Sequence, residues 1–520
     1  MGLGNVVAKD QVSYGDFYYS LRILSINGYH TRMSSGSTIA KNAAWLMVAT
    51  AAQKFVAFIA FTIVARLLGR ELTGVFFYSV SITSIFVIIT DLGMTPVVIR
   101  SLAGDREDSS RLLGAALRAK LFLTPIAIVA SLLYATLFGA DLVTLSTVAI
   151  ACLVMTADTF HLALYGALRG RQNLQPEAFG MFLGQIVTAI ASISAAFFGF
   201  GPIGLATALL LGSLWNVGWS LFNTRRFSVS IQKPRQSDLK RLVKEAVPFG
   251  IAGIAVKVYS YVDSLIIQNI HGSAAVGLYA VAYKLTYAFQ FLPLTFTAAL
   301  YPALASFFAA KRSEDLRNTF FGSMRVMAAL GFPLAAGLSA LSPRIIPLLY
   351  GQEFAGAVPA FSVLPWVLLP IFLDFPVGAL LNATNRAHLK TIAMVATMVL
   401  NIAANAILVP KYGPLGAAWA GVVSFWMLYL IGAVFAERFI RGAFTFISLT
   451  LRGFLAAVIS WFAWRTVGDM MDLRAAVIFG GAVAMILGFV FRLVTVDDVY
   501  RMIRRLRKHP EPVQAIHEDS

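Results

Sequence analysis

Charged side chains stand inside long apolar runs of this sequence, where they are expensive to bury. A Lys, Asp or Arg at the centre of a membrane helix costs roughly 2.5–3.5 kcal/mol on insertion scales. Such residues are usually retained for a transport pathway, a charged partner or a binding pocket. The ionisable residues in these runs are Lys54, Asp91, Asp158, His161, Lys257, Asp263, Lys284 and Asp374. We therefore treat them as candidates for ligand binding, gating or ion coupling.

Two pairs of opposite charge are predicted to lie at matched depths. At 1.5 Å per residue, Lys54 and Asp91 lie roughly 16 Å and roughly 12 Å from the same membrane face. Asp263 and Lys284 both lie roughly 10–12 Å from the opposite face. Each pair could form an ion pair, which would make either charge cheaper to bury.

Three further basic residues lie nearer to a predicted membrane face. Arg118 and Lys120 are interpreted as side chains that extend to the lipid headgroups, and a cavity position is the alternative for Arg118. Arg325 is deeper in its apolar run and is predicted to line a cavity. His161 follows Asp158 by one helical turn, so a local hydrogen bond and a proton relay both fit the spacing.

Motifs typical of enzymes are absent from the sequence. It has no Walker A, HExxH or CxxC pattern, and its single cysteine, Cys152, cannot form a disulfide within one chain. The glycines of Gly199–Gly204 match GxGxxG, but they lie between two apolar runs rather than after a strand. We predict no catalytic residue, cofactor or metal site, so active transport would have to use an ion gradient or removal of its product.

The composition indicates that lipid is the solvent. Of 520 residues, 58% are hydrophobic and 13% are charged, whereas soluble domains carry about 25% charged residues. The net charge of +17 resides in short segments between apolar runs. The preference of membrane proteins for basic cytoplasmic loops explains this charge better than nucleic-acid binding does.

The apolar runs divide into fourteen predicted spans, each long enough for the roughly 20 residues that a membrane helix needs. Backbone groups in lipid must be satisfied within their own segment, so the runs are predicted to be helices. The spans lie at about 43–68, 75–99, 112–138, 142–168, 178–199, 203–223, 246–270, 276–305, 316–341, 356–382, 387–409, 414–436, 445–467 and 473–494.

These spans predict an all-α integral membrane protein with two pseudo-symmetric six-helix lobes around a central cavity, plus two C-terminal helices. Basic residues gather in alternate loops, so both termini and the basic hinge are predicted to be cytoplasmic, in a cytoplasmic membrane. The tail is predicted to form an amphipathic helix on the anionic membrane surface. The predicted divisions are an arm at 1–42, a first lobe at 43–224, a hinge at 225–245, a second lobe at 246–437, a final helix pair at 445–494 and a tail at 495–520.

A long internal repeat supports the two-lobe organisation. Three residues recur in the second half at a constant offset of 203. They are Lys54, Gly69 and Gly74 in the first half and Lys257, Gly272 and Gly277 in the second. Six spans per half make the repeat parallel, with an axis along the membrane normal. Lys54 and Lys257 are therefore predicted to lie on opposite walls of the cavity, where they could bind an anion.

The sequence ARLLGRELTGVF (residues 65–76), a basic loop after the second span, the GPxG turns at Gly201 and Gly413 and the duplicated halves resemble one family. It is the polysaccharide transporter family, the O-antigen (Wzx-type) flippase branch of the multidrug/oligosaccharidyl-lipid/polysaccharide exporter superfamily. The resemblance covers about residues 40–495. It implies a flippase that moves polyprenyl-diphosphate-linked oligosaccharide across the membrane through a cavity that opens alternately to each side. It also implies that the protein acts between glycosyltransferases, which build the unit inside the cell, and a polymerase or ligase outside.

Three alternatives remain open. A cation-coupled multidrug exporter of the same superfamily would have a narrower, more apolar cavity with an acidic site, and the lysines argue against it. A lipid II flippase would transport its substrate by the same physical principles but would bind a different headgroup. A membrane scaffold in a polysaccharide assembly complex would transport nothing itself.

Overall fold

The protein is described here from a computed structural model, which places residues 36–104, 109–171, 173–468 and 470–494, with side chains from residue 49 onward except those of 467 and 468. The predicted tail at 495–520 and most of the predicted arm lie outside these ranges. The described residues form helices joined by short turns. The α-helices are α1 (Gly36–Asp91), α2 (Met94–Ala103), α3 (Ser109–Leu137), α4 (Leu142–Gly170), α5 (Gln175–Phe197), α6 (Gly201–Arg226), α7 (Gln236–Tyr287), α8 (Phe291–Ala309), α9 (Ser313–Ala340), α10 (Ser342–Tyr350), α11 (Val358–Val363), α12 (Leu368–Ala383), α13 (Ala387–Tyr412), α14 (Pro414–Ile440), α15 (Ala443–Gly468) and α16 (Leu473–Val490).

The number of membrane crossings agrees with the sequence prediction. Twelve apolar helical stretches of the described chain are long enough to span a membrane. Two of them, Ala49–Asp91 and Gln236–Ala309, contain 43 and 74 residues, at least twice what one crossing requires. Each is interrupted by a non-helical glycine and counts as two crossings, which raises twelve to fourteen. The predicted fold class, all-α with two six-helix lobes and a C-terminal helix pair, is confirmed.

Gly69 and Gly272 divide α1 and α7 at equivalent points of the repeat. Their φ angles are 76° and 78°, in the left-handed region that residues with a Cβ rarely adopt. Both ψ angles are close to 180°, so the helical hydrogen bonding stops there and the second arm of each helix can turn away from the first. The equal spacing of these residues in the two halves thus marks two matching chain reversals.

The two reversals pack against each other as a pseudo-symmetric pair. A Cβ added at Gly74 would lie 1.8 Å from the carbonyl oxygen of Ser273, and one at Gly277 would lie 1.8 Å from that of Arg70. Since the offset of 203 relates Gly74 to Gly277 and Arg70 to Ser273, each lobe makes the same contact with the other. We call this membrane face the glycine side. Close backbone approach through glycine closes the gap between the lobes there.

The opposite face carries the connection between the lobes, and we call it the hinge side. The predicted hinge at 225–245 comprises the end of α6, a non-helical linker at 227–235 and the start of α7. The Gln232 amide donates to the Ser110 carbonyl over 3.2 Å, and the Arg111 guanidinium lies 3.5 Å from the Asp238 carboxylate. These contacts attach the linker to the first lobe.

The outer surface of the helices is apolar, as lipid requires. Side chains such as Leu121, Phe122, Ile407 and Ile478 are exposed by 61–74%. One buried apolar cluster joins the lobes and includes Tyr78 of the first and Tyr279 of the second. The C-terminal helices pack on the second lobe, where the Trp461 indole donates to the Ser339 hydroxyl over 3.0 Å. The chain is therefore a multi-pass membrane protein.

Candidate functional site

A cavity of about 720 Å³ lies among the helices of the first lobe and is bounded on one side by α7 of the second lobe. We call it the polar chamber, because charges, amides and hydroxyls occupy its wall at the depth of the membrane. Such a wall can hydrogen-bond a hydrated ligand that could not enter lipid. Its polar residues are Gln53, Thr83, Ser84, Asp91, Thr95, Lys120, Asp158, Thr159, His161, Arg169, Gln185, Thr188, Ser213, Asn216 and Lys257.

Lys257 brings a cation from the second lobe to this chamber. Its Nζ lies 5.7 Å from the centre of the Tyr261 ring, within the range of a cation–π contact. It lies close enough to Asp158 for the opposite charges to interact. No carboxylate of the described residues is within ion-pair distance of Lys257, so its charge is only partly compensated.

Lys284 and Lys54 place two more cations between the lobes. The Lys284 Nζ lies 5.7 Å from the centre of the Phe61 ring and 5.6 Å from that of Phe77, both on the other lobe. Lys54 and Lys284 are exposed, and they are close enough to repel each other. Among the residues that the structure places, neither has an ion-pair partner. Two adjacent uncompensated cations favour an anion between them.

Asp91 pairs with Lys120, and this overturns two sequence predictions. The Lys120 ammonium donates to the Asp91 carboxylate and, over 3.3 Å, to the Thr159 hydroxyl; the Thr95 hydroxyl also donates to Asp91. Lys120 is fully buried, so it does not extend to the headgroups. The predicted Lys54–Asp91 pair is likewise wrong, because Asp91 has a nearer cation. Lys54 is thereby left without its proposed neutralising partner.

Asp158 and His161 form the local hydrogen bond that their spacing predicts. His161 Nε2 lies 3.1 Å from Asp158 Oδ1, and the Ser213 hydroxyl donates to the same oxygen over 2.5 Å. His161 is 4% exposed, and its Nδ1 has no hydrogen-bond partner among the described residues. Asp158 is more open to the chamber. The pair thus lies at the wall of the chamber, with the carboxylate as its more exposed member.

Asp263 and Lys284 do not form the predicted ion pair. Asp263 accepts from the Tyr279 hydroxyl and, over 2.7 Å, from the Ser264 amide. Tyr279 belongs to a group of rings on α7 that also includes Tyr283 and Tyr287. Hydroxyl and amide donors therefore satisfy this buried carboxylate, and Lys284 turns to the aromatic rings of the other lobe instead. The sequence predicted equal depths in the membrane for Asp263 and Lys284, but their side chains point in different directions.

Asp374 binds Lys390, a residue that the sequence analysis did not single out. The Lys390 ammonium reaches both carboxylate oxygens at 2.5 Å, and both side chains are largely buried. The pair joins α12 to α13 inside the second lobe. Because α13 begins at Ala387, Lys390 lies in its first turn. Asp374 is thereby a neutralised structural charge rather than a free carboxylate.

Arg118 and Arg325 occupy equivalent helices of the two lobes. Arg118 is exposed and Arg325 is half-buried, and neither lines the polar chamber. Pro125 and Pro333, which follow them in the repeat, lie inside α3 and α9. Within the described ranges no group of three or more His, Cys, Asp or Glu side chains could hold a metal ion.

The GxGxxG sequence forms a turn. Gly201 has φ 59°, and Gly413, its counterpart in the second lobe, has φ 55°. A proline follows each glycine in the first turn of α6 and α14, where its missing amide proton costs nothing. The duplicated turn confirms the interpretation of this sequence as a feature of the repeat.

Comparison with sequence families and known relatives gives matches along most of the chain. The profile described as Polysaccharide biosynthesis protein matches residues 39–308, and the MatE profile matches residues 248–407. The probable low-salt glycan biosynthesis flippase Agl15 of Haloferax volcanii is 23% identical over 81% of this chain and 85% of its own length. The lipopolysaccharide biosynthesis protein WzxC of Escherichia coli K12 is 24% identical over 69% of this chain and 72% of its own.

A solved structure has the same fold. The lipid II flippase MurJ in an inward closed conformation superposes with a TM-score of 0.67, at 14% identity, over 88% of this chain and 99% of that one. At this identity the likeness concerns the arrangement of the helices. It is in keeping with the two lobes and the C-terminal helix pair described above.

Proposed function

Because the chain belongs to the polysaccharide biosynthesis protein family, we propose that it is a flippase for polyprenyl-diphosphate-linked oligosaccharide. The substrate would enter the space between the lobes from one leaflet and leave to the other as the lobes rock about the repeat axis. The oligosaccharide is the repeat unit of an exopolysaccharide, O-antigen or capsule. The name of the relative Agl15, a glycan biosynthesis flippase, supports this class of cargo.

The observation that carries the proposal is the uncompensated positive charge between the lobes. Lys54 and Lys284 repel each other and have no ion-pair partner among the described residues. Lys257 adds a third cation from α7. A diphosphate must lose water to cross the membrane, and lysines in a wet cavity would replace that water as point charges. A cavity that binds cationic drugs would need negative charge on its wall instead.

The polar chamber is proposed to receive the sugars. Its amides and hydroxyls, such as Gln185, Thr188 and Asn216, are the donors and acceptors that sugar hydroxyls require. Lys257 at its edge would place the diphosphate next to the first sugar. The polyprenyl chain would remain in the lipid between the lobes.

Asp158 and His161 are proposed as the site of ion coupling. Protonation there would weaken the attraction between Asp158 and Lys257, so that Lys257 becomes available to the diphosphate. Deprotonation would return Lys257 to Asp158 and promote release. Asp91, Lys120 and Arg169 also face the chamber, and the first two neutralise each other.

The hinge side is proposed to be cytoplasmic, with both termini on that side, in a cytoplasmic membrane. The basic residues of the linker and of α6, including Arg225, Arg226 and Lys233, support this orientation. Glycosyltransferases that complete the substrate would then work on the hinge side, and a polymerase on the glycine side.

Reconstitution separates this function from its alternatives. Purified protein in vesicles should move a fluorescent polyprenyl-diphosphate oligosaccharide between leaflets faster than protein-free vesicles do. Transport of lipid II alone would favour the lipid II alternative, and efflux of cationic dyes alone would favour the multidrug exporter. Folded protein that moves none of these in either pH gradient would indicate a scaffold and contradict the proposal.

A further inference from the structure

A second cavity, of about 680 Å³, lies outside the space between the lobes. It is formed by α1, the first turns of α5 and the last turns of α6, so it lies at the hinge-side end of the first lobe. We call it the side cavity. None of its lining residues belongs to the polar chamber, so the two are separate sites.

The inner wall of the side cavity is apolar and well packed. Phe179 and Trp219 lie with ring centres 5.3 Å apart, and Phe182 lines the wall beside them. The Trp219 indole donates to the Pro176 carbonyl over 2.7 Å, which fixes the ring against the start of α5. Opposite, among the residues of α1 whose side chains the structure describes, the small Ala49 and Ala52 line the cavity. Small side chains facing fixed aromatic rings leave a slot suited to hydrocarbon.

The mouth of the side cavity is polar and carries a cation. The polar residues that line the cavity are Asn173, Gln175, Asn223 and Arg226. Arg226 is exposed, and its guanidinium carbon lies 5.7 Å from the centre of the Phe227 ring. Among the described residues Arg226 has no ion-pair partner. The mouth can therefore bind an anionic group.

The surroundings of the side cavity determine what kind of molecule can enter it. Phe222 and Trp215, on the same helix as Trp219, are 55% and 38% exposed on the lipid-facing surface. Aromatic side chains at this level mark the boundary between hydrocarbon and headgroups. Basic pockets between membrane helices on the cytoplasmic side bind anionic lipid headgroups. A free phosphate would leave the aromatic slot unused.

We propose that the side cavity binds one anionic phospholipid from the leaflet on the hinge side, with its phosphate at Arg226 and one acyl chain against Phe182 and Trp219. The bound lipid would touch Ala52, two residues from Lys54 on α1. The lipid composition of the membrane would therefore act on the helix that carries a lysine of the transport cavity. The orientation is that of the proposed function, but lipid binding does not depend on transport.

The test measures lipid binding directly by native mass spectrometry of the purified full-length protein. Phosphatidylglycerol should be retained in preference to phosphatidylcholine. Arg226→Gln should weaken retention of phosphatidylglycerol about fivefold, the factor that corresponds to about 1 kcal/mol for one basic residue near an anionic surface. Ala52→Leu, which fills the slot, should weaken retention of both lipids.

Arg225→Gln is the matched control, because Arg225 is the adjacent arginine but does not line the cavity. It should leave retention unchanged. Equal losses in the two arginine variants, or equal retention of the two lipids by the natural protein, would overturn the proposal. Polyprenyl phosphate that displaces phosphatidylglycerol from the natural protein but not from Arg226→Gln would assign the cavity to the substrate instead. Failure of Ala52→Leu to fold would leave the arginine comparison decisive.

Discussion

Lys120 shows how the chain accommodates charge at membrane depth. It is fully buried, yet Asp91, Thr159 and the nearby Thr95 provide it with a carboxylate and a hydroxyl network. Asp374 and Lys390 form a similar buried ion pair in the second lobe, at positions that do not correspond to Asp91 and Lys120 in the repeat. Lys54 and Lys284 differ from these satisfied pairs, because neither has an ion-pair partner among the described residues.

The Asp91–Lys120 pair is predicted to stabilise the first lobe. Asp91→Asn should lower the free energy of unfolding by about 3 kcal/mol, because it leaves the buried Lys120 ammonium without a counter-charge. Lys120→Met should cost less, since the Asp91 side chain is 29% exposed and can still reach water in the chamber. Thermal unfolding in detergent measures both variants.

The double variant tests whether the two residues act as a pair. Asp91→Asn with Lys120→Met should be more stable than the sum of the single losses implies, whereas Asp91→Asn with Lys54→Gln should show additive effects. If the losses of stability were additive for Asp91→Asn with Lys120→Met but coupled for Asp91→Asn with Lys54→Gln, the Lys54–Asp91 pair predicted from membrane depth would be correct after all.

At the scale of elements, Gly74 and Gly277 hold the lobes together on the glycine side. Gly277→Ala would put a methyl group 1.8 Å from the Arg70 carbonyl oxygen, so the lobes must separate. We expect the variant to favour a state that is open on the glycine side. A cysteine at Ser84, in the polar chamber, should then react faster with an impermeant maleimide added from that side, in a Cys152→Ala background.

Gly322→Ala is the matched control, because a Cβ at Gly322 meets no atom within 4 Å. It should leave the labelling rate unchanged. Slower or unchanged labelling in Gly277→Ala, with normal thermal stability, would show that the glycine contact does not hold this side closed.

The elements themselves were predictable because their signals are local. The offset of 203 located both reversals, since a residue that must adopt φ near 77° leaves a glycine in the sequence whatever it packs against. The partners of the charges were not predictable in this way. Depth along a helix does not give rotation about its axis, so it could not show that Lys120, expected at the headgroups, turns inward to Asp91 in place of Lys54. Asp263 likewise accepts a hydrogen bond from Tyr279 instead of pairing with Lys284.

At the scale of the whole molecule, the two lobes share a fold and differ in chemistry. The polar chamber belongs to the first lobe, whereas the aromatic cluster of Tyr279, Tyr283 and Tyr287 belongs to the second. In the proposed function, the pseudo-symmetric lobes rock against each other, and the features in which they differ bind the ligand. Lys257 crosses this division, because it extends from α7 to the chamber of the first lobe.

The orientation of the molecule gives a simple prediction. Cysteines at Phe200 and Gln352, both exposed on the glycine side, should react with an impermeant maleimide applied to intact cells. A cysteine at Ser230, exposed in the linker, should react only after the membrane is opened. The reverse pattern would place the hinge side outside the cell.

The central claim is that lysines between the lobes hold a diphosphate during transport. The most direct measurement is the flipping rate of labelled polyprenyl-diphosphate oligosaccharide in vesicles with Lys54→Gln, Lys257→Gln or both. Each single variant should lose most of the rate, the double variant should lose all of it, and Arg at either position should retain part, because charge matters more than shape. Lys411→Gln, which removes an exposed charge elsewhere, should transport normally. A normal flipping rate in the stable, folded Lys54→Gln, Lys257→Gln double variant would contradict the account.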